Sequence, residues 1–203
     1  MPDPAPQPVP VDGRRARGDA TRRTAARKAA DIATTHGLDS ITVGSLATAT
    51  GLSKSGIMTV FGSREAIQLA AVAEARRIYV DTVIAPAWSR PRGRERLEAL
   101  LGSWVDYLRS RVFPGGCFVT ATSVEFGHRD GPVADAVRAL KREWLDLLER
   151  ELQAAGSADP VDDAFRLDAL LGAGNARREL FGDDAELDRA HRLALEVIDG
   201  ASR

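Results

Sequence analysis

Apolar residues recur every three or four positions along most of this chain, and that spacing places them on one face of an α-helix. On this basis, helices are predicted over residues 20–36, 63–85, 94–112, 117–126, 133–155, 159–181 and 185–198. No stretch alternates apolar and polar residues with a period of two, so no strand is expected. The predicted fold is therefore all-α, with three helices in an N-terminal domain and about six in the rest of the chain.

Two short helices joined by a tight turn are predicted over residues 42–61. Thr42 and Ser53 suit the two N-caps, because a side-chain hydroxyl accepts a hydrogen bond from a free backbone N–H at a helix start. Gly51 suits the turn, because glycine readily adopts the positive φ that ends a helix. The outer face of the second helix holds small uncharged side chains, at Ser55, Gly56 and Thr59. Such a face fits a DNA major groove, although an ordinary helical corner gives a similar pattern.

The surroundings of this motif favour the first interpretation. Residues 23–69 resemble the N-terminal domain of the TetR family of transcriptional regulators. The resemblance is carried by Gly37, Ile41, Thr42, Val43, Leu46, Ala47, Thr50, Gly51, Leu52, Ser53, Lys54, Phe61, Ser63, Arg64, Glu65 and Ala66. It implies a homodimeric, non-enzymatic regulator that binds a DNA operator, with a ligand site in the C-terminal part of the chain. We expect a repressor that a small, largely apolar effector releases from DNA.

DNA contacts are expected where helices begin, because free N–H groups and the helix dipole attract phosphates there. The candidate DNA-binding residues are Thr42, Ser53, Lys54, Ser55, Thr59, Arg64, Arg22 and Arg23. Ser55 and Thr59 are the candidates for base contacts. Met58 and Val60 stand where the family usually has aromatic residues, and Gly56 replaces a larger one. Backbone contacts are therefore expected to outweigh base contacts.

Charge and composition narrow the class of protein. Residues 1–62 carry eight Lys and Arg against five Asp, whereas the remainder carries 20 basic against 24 acidic residues. A basic front on an acidic body suits a DNA-binding protein. Cys117 is the single cysteine, so neither an internal disulfide nor a cysteine-based zinc site can form, and no cofactor is predicted. With no long apolar run and no leader, a cytoplasmic location without membrane contact is expected.

Three regions are predicted along the chain: a disordered proline-rich and basic arm over residues 1–18, a helix-turn-helix domain over 19–64, and a ligand-binding and dimerisation domain over 65–203. Proline occupies every even position from 2 to 10, so the first residues have little apolar bulk to bury. Arg14, Arg15 and Arg17 follow. They fit an arm that contacts phosphates or the minor groove; a solvated tail is the alternative.

A ligand pocket is expected among the C-terminal helices, because bundle cavities lined by aromatic residues suit small apolar molecules. Its candidate residues are Trp104, Tyr107, Phe113, Cys117, Phe118, Ala121, Val124, Trp144 and Leu148; plain core is the alternative for most of them. Two other functions stay open. One is an architectural DNA-binding protein without an effector, and the other, which we disfavour, is an enzyme with Cys117 as nucleophile and His128 as base.

The last two helices are the predicted dimer interface. The candidate residues are Phe165, Ala169, Gly172, Ala173 and Ala176 on one helix, and Leu187, Ala190, Ala194 and Val197 on the other. Glycine inside a helix costs about 1 kcal/mol relative to alanine. Gly172 and Gly174 therefore suggest that another helix approaches closely. The alternative is that both stripes are buried within one subunit.

Overall fold

The computed structural model describes residues 13–201, which form helices joined by short connections, with no strand in that range. The first three helices are α1 (Gly13–His36), α2 (Val43–Thr50) and α3 (Lys54–Phe61), and together we call them the head. The remainder, which we call the body, comprises α4 (Arg64–Tyr79), α5 (Ala85–Ala87), α6 (Arg94–Arg109), α7 (Phe118–Phe126), α8 (Pro132–Ala154), α9 (Pro160–Phe181) and α10 (Ala185–Ala201). The all-α prediction is confirmed.

The helix α1 begins earlier than predicted. Its first residue is Gly13, so residues 13–18 belong to the helix and not to an arm. The prediction began the helix at residue 20, but the arginines and the alanine before it are good helix formers and outweigh Gly18. Residues 1–12, which hold most of the predicted arm, lie outside the described residues.

Two other predicted helices end differently. The helix predicted over residues 63–85 is interrupted after Tyr79 by a π-helical turn, Val80–Ile84, and Pro86 lies in the first turn of α5. Proline is tolerated there because the first N–H groups of a helix have no intrahelical acceptor. The next helix ends at Arg109, not at residue 112, because Arg111 adopts a φ of 46°.

The head and the body share one continuous apolar core. In the head, α1 packs against α2 through alanines, while Leu46 and Ile57 close the angle between α2 and α3. The same helix α1 packs against α4 of the body. The core continues through α4 into the body, where α6 and α8 contribute leucines and Trp104 and Trp144. The head is therefore held by packing as well as by the chain connection at Arg64.

A second contact joins the two parts between α1 and the loop before α7. The guanidinium of Arg27 donates to the carbonyl of Val112 and lies 4.5 Å above the Phe113 ring. Nearby, the N–H of Gly115 donates to the Thr34 hydroxyl at 3.2 Å. The middle and end of α1 are thus attached to the body independently of α4.

The helices α9 and α10 pack antiparallel and very closely. A Cβ placed on Gly174 would lie 2.5 Å from the Cβ of Ala190, so a side chain at position 174 would push α10 away. The close approach inferred from the glycines therefore occurs within the subunit at Gly174. At Gly172, by contrast, an added Cβ would meet nothing within 4 Å.

Candidate functional site

The turn between α2 and α3 has the geometry expected from its sequence. The Thr42 hydroxyl accepts from the Ser45 N–H at 2.9 Å, and the Ser45 hydroxyl accepts from the Thr42 N–H at 2.9 Å, which is a reciprocal capping box. Gly51 ends α2 in the left-handed region, with φ 71°. Ser53 then caps α3 by accepting from the Gly56 N–H at 3.0 Å. Both predicted N-caps are confirmed.

The outer face of α3 is exposed and small. Lys54, Ser55 and Thr59 all lie on the surface, and Lys54 forms no ion pair within residues 13–201. The Thr59 hydroxyl donates to the Ser55 carbonyl at 2.9 Å, and the Ser53 and Ser55 hydroxyls lie 3.0 Å apart. Met58 is 42% exposed beside them. The face offers the Lys54 cation, several hydroxyls and the partly exposed Met58 side chain.

Arg64 already binds residues of the head at the junction between the head and the body. Its Nε donates to the Ile41 carbonyl at 2.9 Å, and its Nη2 lies 2.8 Å from the Asp39 carboxylate. Arg129, after α7, pairs with the other oxygen of Asp39 at 2.9 Å. The Nη2 of Arg64 also donates to the Asp39 carbonyl. The predicted phosphate contact of Arg64 would therefore have to share a guanidinium that already has three acceptors.

Arg64 and Arg129 lower the pKa of Asp39. The hydrogen bond from Arg129 and the positive charges of Arg64 and Arg129 hold the pKa of Asp39 below its usual value of 3.8, against a smaller opposing effect of burial. A lowered pKa in the folded state means that this carboxylate stabilises the fold above its unfolded pKa. That contribution is lost as the pH falls through the lowered folded value.

Arg22 and Arg23 are both exposed on α1, but they differ in what they contact. Arg22 donates to the Val60 carbonyl at 2.7 Å, and its guanidinium lies 4.9 Å above the Phe61 ring, so it fastens α1 to the end of α3. Arg23 has no ion pair or hydrogen bond within the described residues and remains the freer of the two. A long-range contact such as the Arg22 one leaves no signal in the local sequence.

A cleft of about 370 Å³ opens between α4, the π-helical turn, Trp88 after α5, and α8, and Val119 of α7 also lines it. The aromatic rings of Tyr79, Trp88 and Trp144 and the aliphatic side chains of α8 line it. The interrupted helix supplies one wall, because Val80 and Ile84 belong to the π-helical turn. Such turns are frequent at functional sites, and the volume lies in the range of small-molecule pockets.

Most of the predicted pocket residues lie elsewhere. Trp144 lines the cleft, whereas Trp104 and Cys117 line only a small cavity of about 20 Å³ behind it. Tyr107, Phe113, Phe118 and Leu148 are buried core, Ala121 is partly buried, and Val124 is 80% exposed on the far side of α7. Helical spacing identifies the apolar face of a helix but not its neighbour. Tyr79 at the end of α4 and Trp88 after α5 were therefore not among the predicted residues.

The residues predicted for the dimer interface are mostly exposed on α9 but mostly buried on α10. On α9, the predicted positions at Phe165, Ala169, Ala173 and Ala176 are exposed, Phe165 by 72%, and Gly172 is partly buried. On α10, the predicted positions at Leu187, Ala190 and Ala194 are buried against the same subunit, and Val197 is partly buried. The α10 stripe is thus occupied by α9. An apolar face of α9 is left open, extended by Val161, Leu180 and Phe181.

The proposed cysteine–histidine pair does not come together. Cys117 precedes α7 and His128 follows it, so a nine-residue helix, about 13 Å long at 1.5 Å per residue, separates them. Cys117 is buried, and its N–H donates to the Asn175 side chain at 3.0 Å. Across the described part of the chain, no cluster of His, Cys, Asp or Glu could hold a metal ion. Nor is any helix there long and apolar enough to cross a membrane.

Comparisons with known proteins agree with this architecture. The family model described as Tetracyclin repressor-like, C-terminal domain matches residues 93–194, half of the chain. Comparison with curated protein sequences gives no match.

Several solved structures share the fold. The TetR-family regulator SCO4454 from Streptomyces coelicolor has a TM-score of 0.80 and 22% identity, over 93% of this chain and 97% of that chain. A TetR regulator from Chloroflexus aurantiacus gives 0.82 and 22%, over 91% and 96%. AibR, solved with isovaleryl coenzyme A and operator DNA, gives 0.68 and 16%, over 86% and 96%. The family match across the body, together with this fold, shows that the chain belongs to the TetR family of transcriptional regulators.

Proposed function

We propose that this protein is a homodimeric repressor that binds an operator through α2 and α3 and is released when a small apolar effector enters the cleft. Regulators of this family typically bind operator DNA, respond to small molecules and are not enzymes. The observation that carries the proposal is the position of α7. This helix lines the cleft at Val119, and its Glu125 accepts two hydrogen bonds from the turn between α1 and α2.

The Glu125 carboxylate accepts hydrogen bonds from two backbone N–H groups. Its Oε2 accepts from the Leu38 N–H and its Oε1 from the Asp39 N–H, both at 2.7 Å. These N–H groups belong to the 3-10 turn Leu38–Ser40, between α1 and α2. Gly37 makes room for it, because it has a φ of 93° and an added Cβ would meet Oε1 at 3.1 Å. A shift of α7 would therefore move the turn that positions the helix-turn-helix motif.

A row of rings offers a second route from the cleft to α1. Trp144 meets Tyr79 edge to face, and Tyr79 meets Tyr107 in the same way, each pair at 5.6 Å between centroids. Tyr107 contacts Phe113 at 6.2 Å, and Arg27 of α1 covers Phe113. Because packed interiors transmit displacements and do not absorb them, a ligand that turns Trp144 or Tyr79 is expected to disturb Arg27.

On the DNA side, the starts of α2 and α3 supply free N–H groups for phosphates. Lys54 adds an unpaired charge there, and Ser55 and Thr59 face outward toward base edges. One such face covers only a few base pairs. A two-fold dimer that places two faces in successive major grooves, about 34 Å apart, supplies the missing affinity and specificity. The open face of α9 is the surface we propose for that dimer.

The primary test is a binding assay with the DNA upstream of the protein's own gene against scrambled DNA. Tighter binding to the upstream DNA supports an operator, whereas equal affinities contradict the proposal. A screen of hydrophobic compounds by thermal shift then finds molecules that raise the melting temperature, since ligands of the native state stabilise it. DNA binding that no stabilising compound reverses would favour an architectural DNA-binding protein without an effector.

Lys54→Ala is expected to weaken DNA binding for all sequences alike. It removes a phosphate contact, so the slope of log affinity against log salt should fall by about one per subunit. Fluorescence anisotropy at several salt concentrations measures both effects. Arg90→Ala is the matched control, because it removes one exposed charge at the opposite end of α4 and α5. An unchanged slope in Lys54→Ala would place this residue outside the DNA contact.

A further inference from the structure

A small second cavity lies behind the cleft. It holds about 20 Å³, room for a single water-sized group. Tyr79, Val119 and Trp144 line both spaces, so these three side chains form the partition between them. We call the small space the inner chamber. A ligand in the cleft therefore has one neighbouring space, large enough for a single polar atom and its substituent.

The charges around both spaces are balanced. At the cleft, Arg76 and Arg150 face Glu143 and Asp146, and Arg76 is paired with Glu143 at 2.7 Å. In the inner chamber, the Lys141 ammonium binds both oxygens of Asp168, at 2.6 and 2.7 Å. A charged ligand would have to leave water for a site that already holds charges of both signs, and the desolvation cost of a buried ion is large. The site therefore favours an uncharged ligand.

Two hydroxyls at the inner chamber lack partners. Neither Tyr79 nor Thr120 makes a side-chain hydrogen bond within residues 13–201, although both line this space. Burial raises the pKa of Tyr79 well above its usual value of 10.0, with smaller contributions from Cys117, Tyr107 and Asp168. Cys117 and Asp168 line the chamber together with Tyr79. At neutral pH the phenol is therefore a protonated donor without an acceptor.

We propose that the effector is an uncharged ring compound that carries one hydrogen-bond-accepting oxygen, such as a ketone. Its ring body occupies the cleft against Trp144, and its oxygen passes the partition and accepts from the Tyr79 hydroxyl. This proposal rests on the proposed function and names the ligand class of the same cleft. The Tyr79 hydroxyl makes no hydrogen bond to another described residue, yet it is not closed off from water. The ligand oxygen would replace water as its acceptor and gain about one net hydrogen bond, which is what selects the oxygen.

Four probes with one ring body test the class: naphthalene, 2-acetylnaphthalene, 2-naphthoic acid and 2-naphthylmethylamine. Calorimetry with the full chain is expected to give the ketone an affinity about tenfold above naphthalene, the size of one net hydrogen bond. The acid and the amine should each bind at least about tenfold more weakly than the ketone. An acid or amine that binds as tightly as the ketone, or no binding by any probe, would overturn the proposal.

Tyr79→Phe separates the hydrogen bond from the packing. This variant keeps the ring, so naphthalene should bind within about twofold of its affinity for the unmodified protein, while the tenfold preference for the ketone should disappear. Tyr107→Phe is the control, because the Tyr107 hydroxyl already accepts from the Phe118 N–H at 3.4 Å. A ketone preference that survives Tyr79→Phe would contradict the assignment.

Operator affinity, measured on the same samples, keeps the two proposals apart. If the ketone binds with the expected preference but leaves operator affinity unchanged, the ligand class stands and effector control of DNA binding fails. If another hydrophobic compound releases the DNA while the ketone shows no preference over naphthalene, the proposed function stands and the ligand class is wrong.

Discussion

Ala173→Glu is expected to split the homodimer and to lower operator affinity by about 10²–10⁴-fold, the advantage that linked binding sites have over single ones. Ala173 is exposed near the centre of the open α9 face. Two subunits related by a two-fold axis would bring two glutamates together in an apolar contact, where unpaired charges are costly. Light scattering at micromolar concentration should give the monomer mass, and anisotropy with operator DNA should give the loss of affinity.

The monomer itself should stay folded, because Ala173 contributes nothing to the subunit's own core. Helical circular dichroism is therefore expected to remain near that of the unmodified chain. Ala173→Ser, which keeps the size but adds no charge, should remain dimeric. If the unmodified protein is already a stable monomer, the proposed interface is wrong and a palindromic operator is not expected.

Glu125→Ala is expected to lower the free energy of unfolding by about 2–4 kcal/mol. The change removes the acceptor of two backbone N–H groups in the 3-10 turn, and a hydrogen bond to a charged group contributes about 1.5–3 kcal/mol. Partial access of water to this site keeps the total below the sum of two such bonds. Urea unfolding measures it, with Glu95→Ala, which removes an exposed carboxylate, changing the value by under about 1 kcal/mol.

Glu125→Ala should also weaken the coupling between effector binding and DNA binding. Without the carboxylate, α7 no longer holds the turn before α2, so an effector in the cleft should release DNA less effectively. The coupling free energy is expected to fall by about 1–3 kcal/mol, the usual size of the whole effect. Operator affinity with and without a cleft ligand gives this number. Unchanged coupling would leave the ring contacts between Trp144 and Arg27 as the remaining route.

Local signals in the sequence were sufficient for the helix-turn-helix motif. The caps at Thr42 and Ser53 and the turn at Gly51 each depend on residues within three positions, so the residue types alone identify them. Most helix ends in the body were also found from glycine, proline and the helical period. The end of α6 was missed because Arg111, not a glycine, takes the positive φ.

Contacts between distant residues were beyond the sequence. The stripes on α9 and α10 look alike as patterns, but Ala190 and Ala194 pack inside the subunit whereas Ala169 and Ala173 do not. An amphipathic pattern shows that one face of a helix is apolar. It does not show whether the same subunit or another subunit covers that face. Arg64 was likewise assigned to DNA from its place at a helix start, although its acceptors lie 23 and 25 positions earlier.

Of the residues predicted for the ligand pocket, only Trp144 lines the cleft. Trp144 was identified because it lies on a long amphipathic helix. Tyr79 and Trp88 were missed because one unbroken helix was predicted over residues 63–85. No local sequence feature identifies the π-helical turn, after which both residues line the cleft with α8. The available signal in the sequence was that Tyr79 precedes Pro86 and Trp88 follows it.

The cluster of Arg64, Asp39 and Arg129 restricts which DNA-binding modules can be exchanged on this body. A transplanted module would need an acidic residue at position 39 to pair with Arg129, and two free N–H groups facing Glu125. A module that lacks them would leave one arginine and one carboxylate without partners at the seam. Hybrids made by joining at Arg64 alone would bind their operator yet respond poorly to the ligand, so the 3-10 turn and Arg129 should be exchanged together.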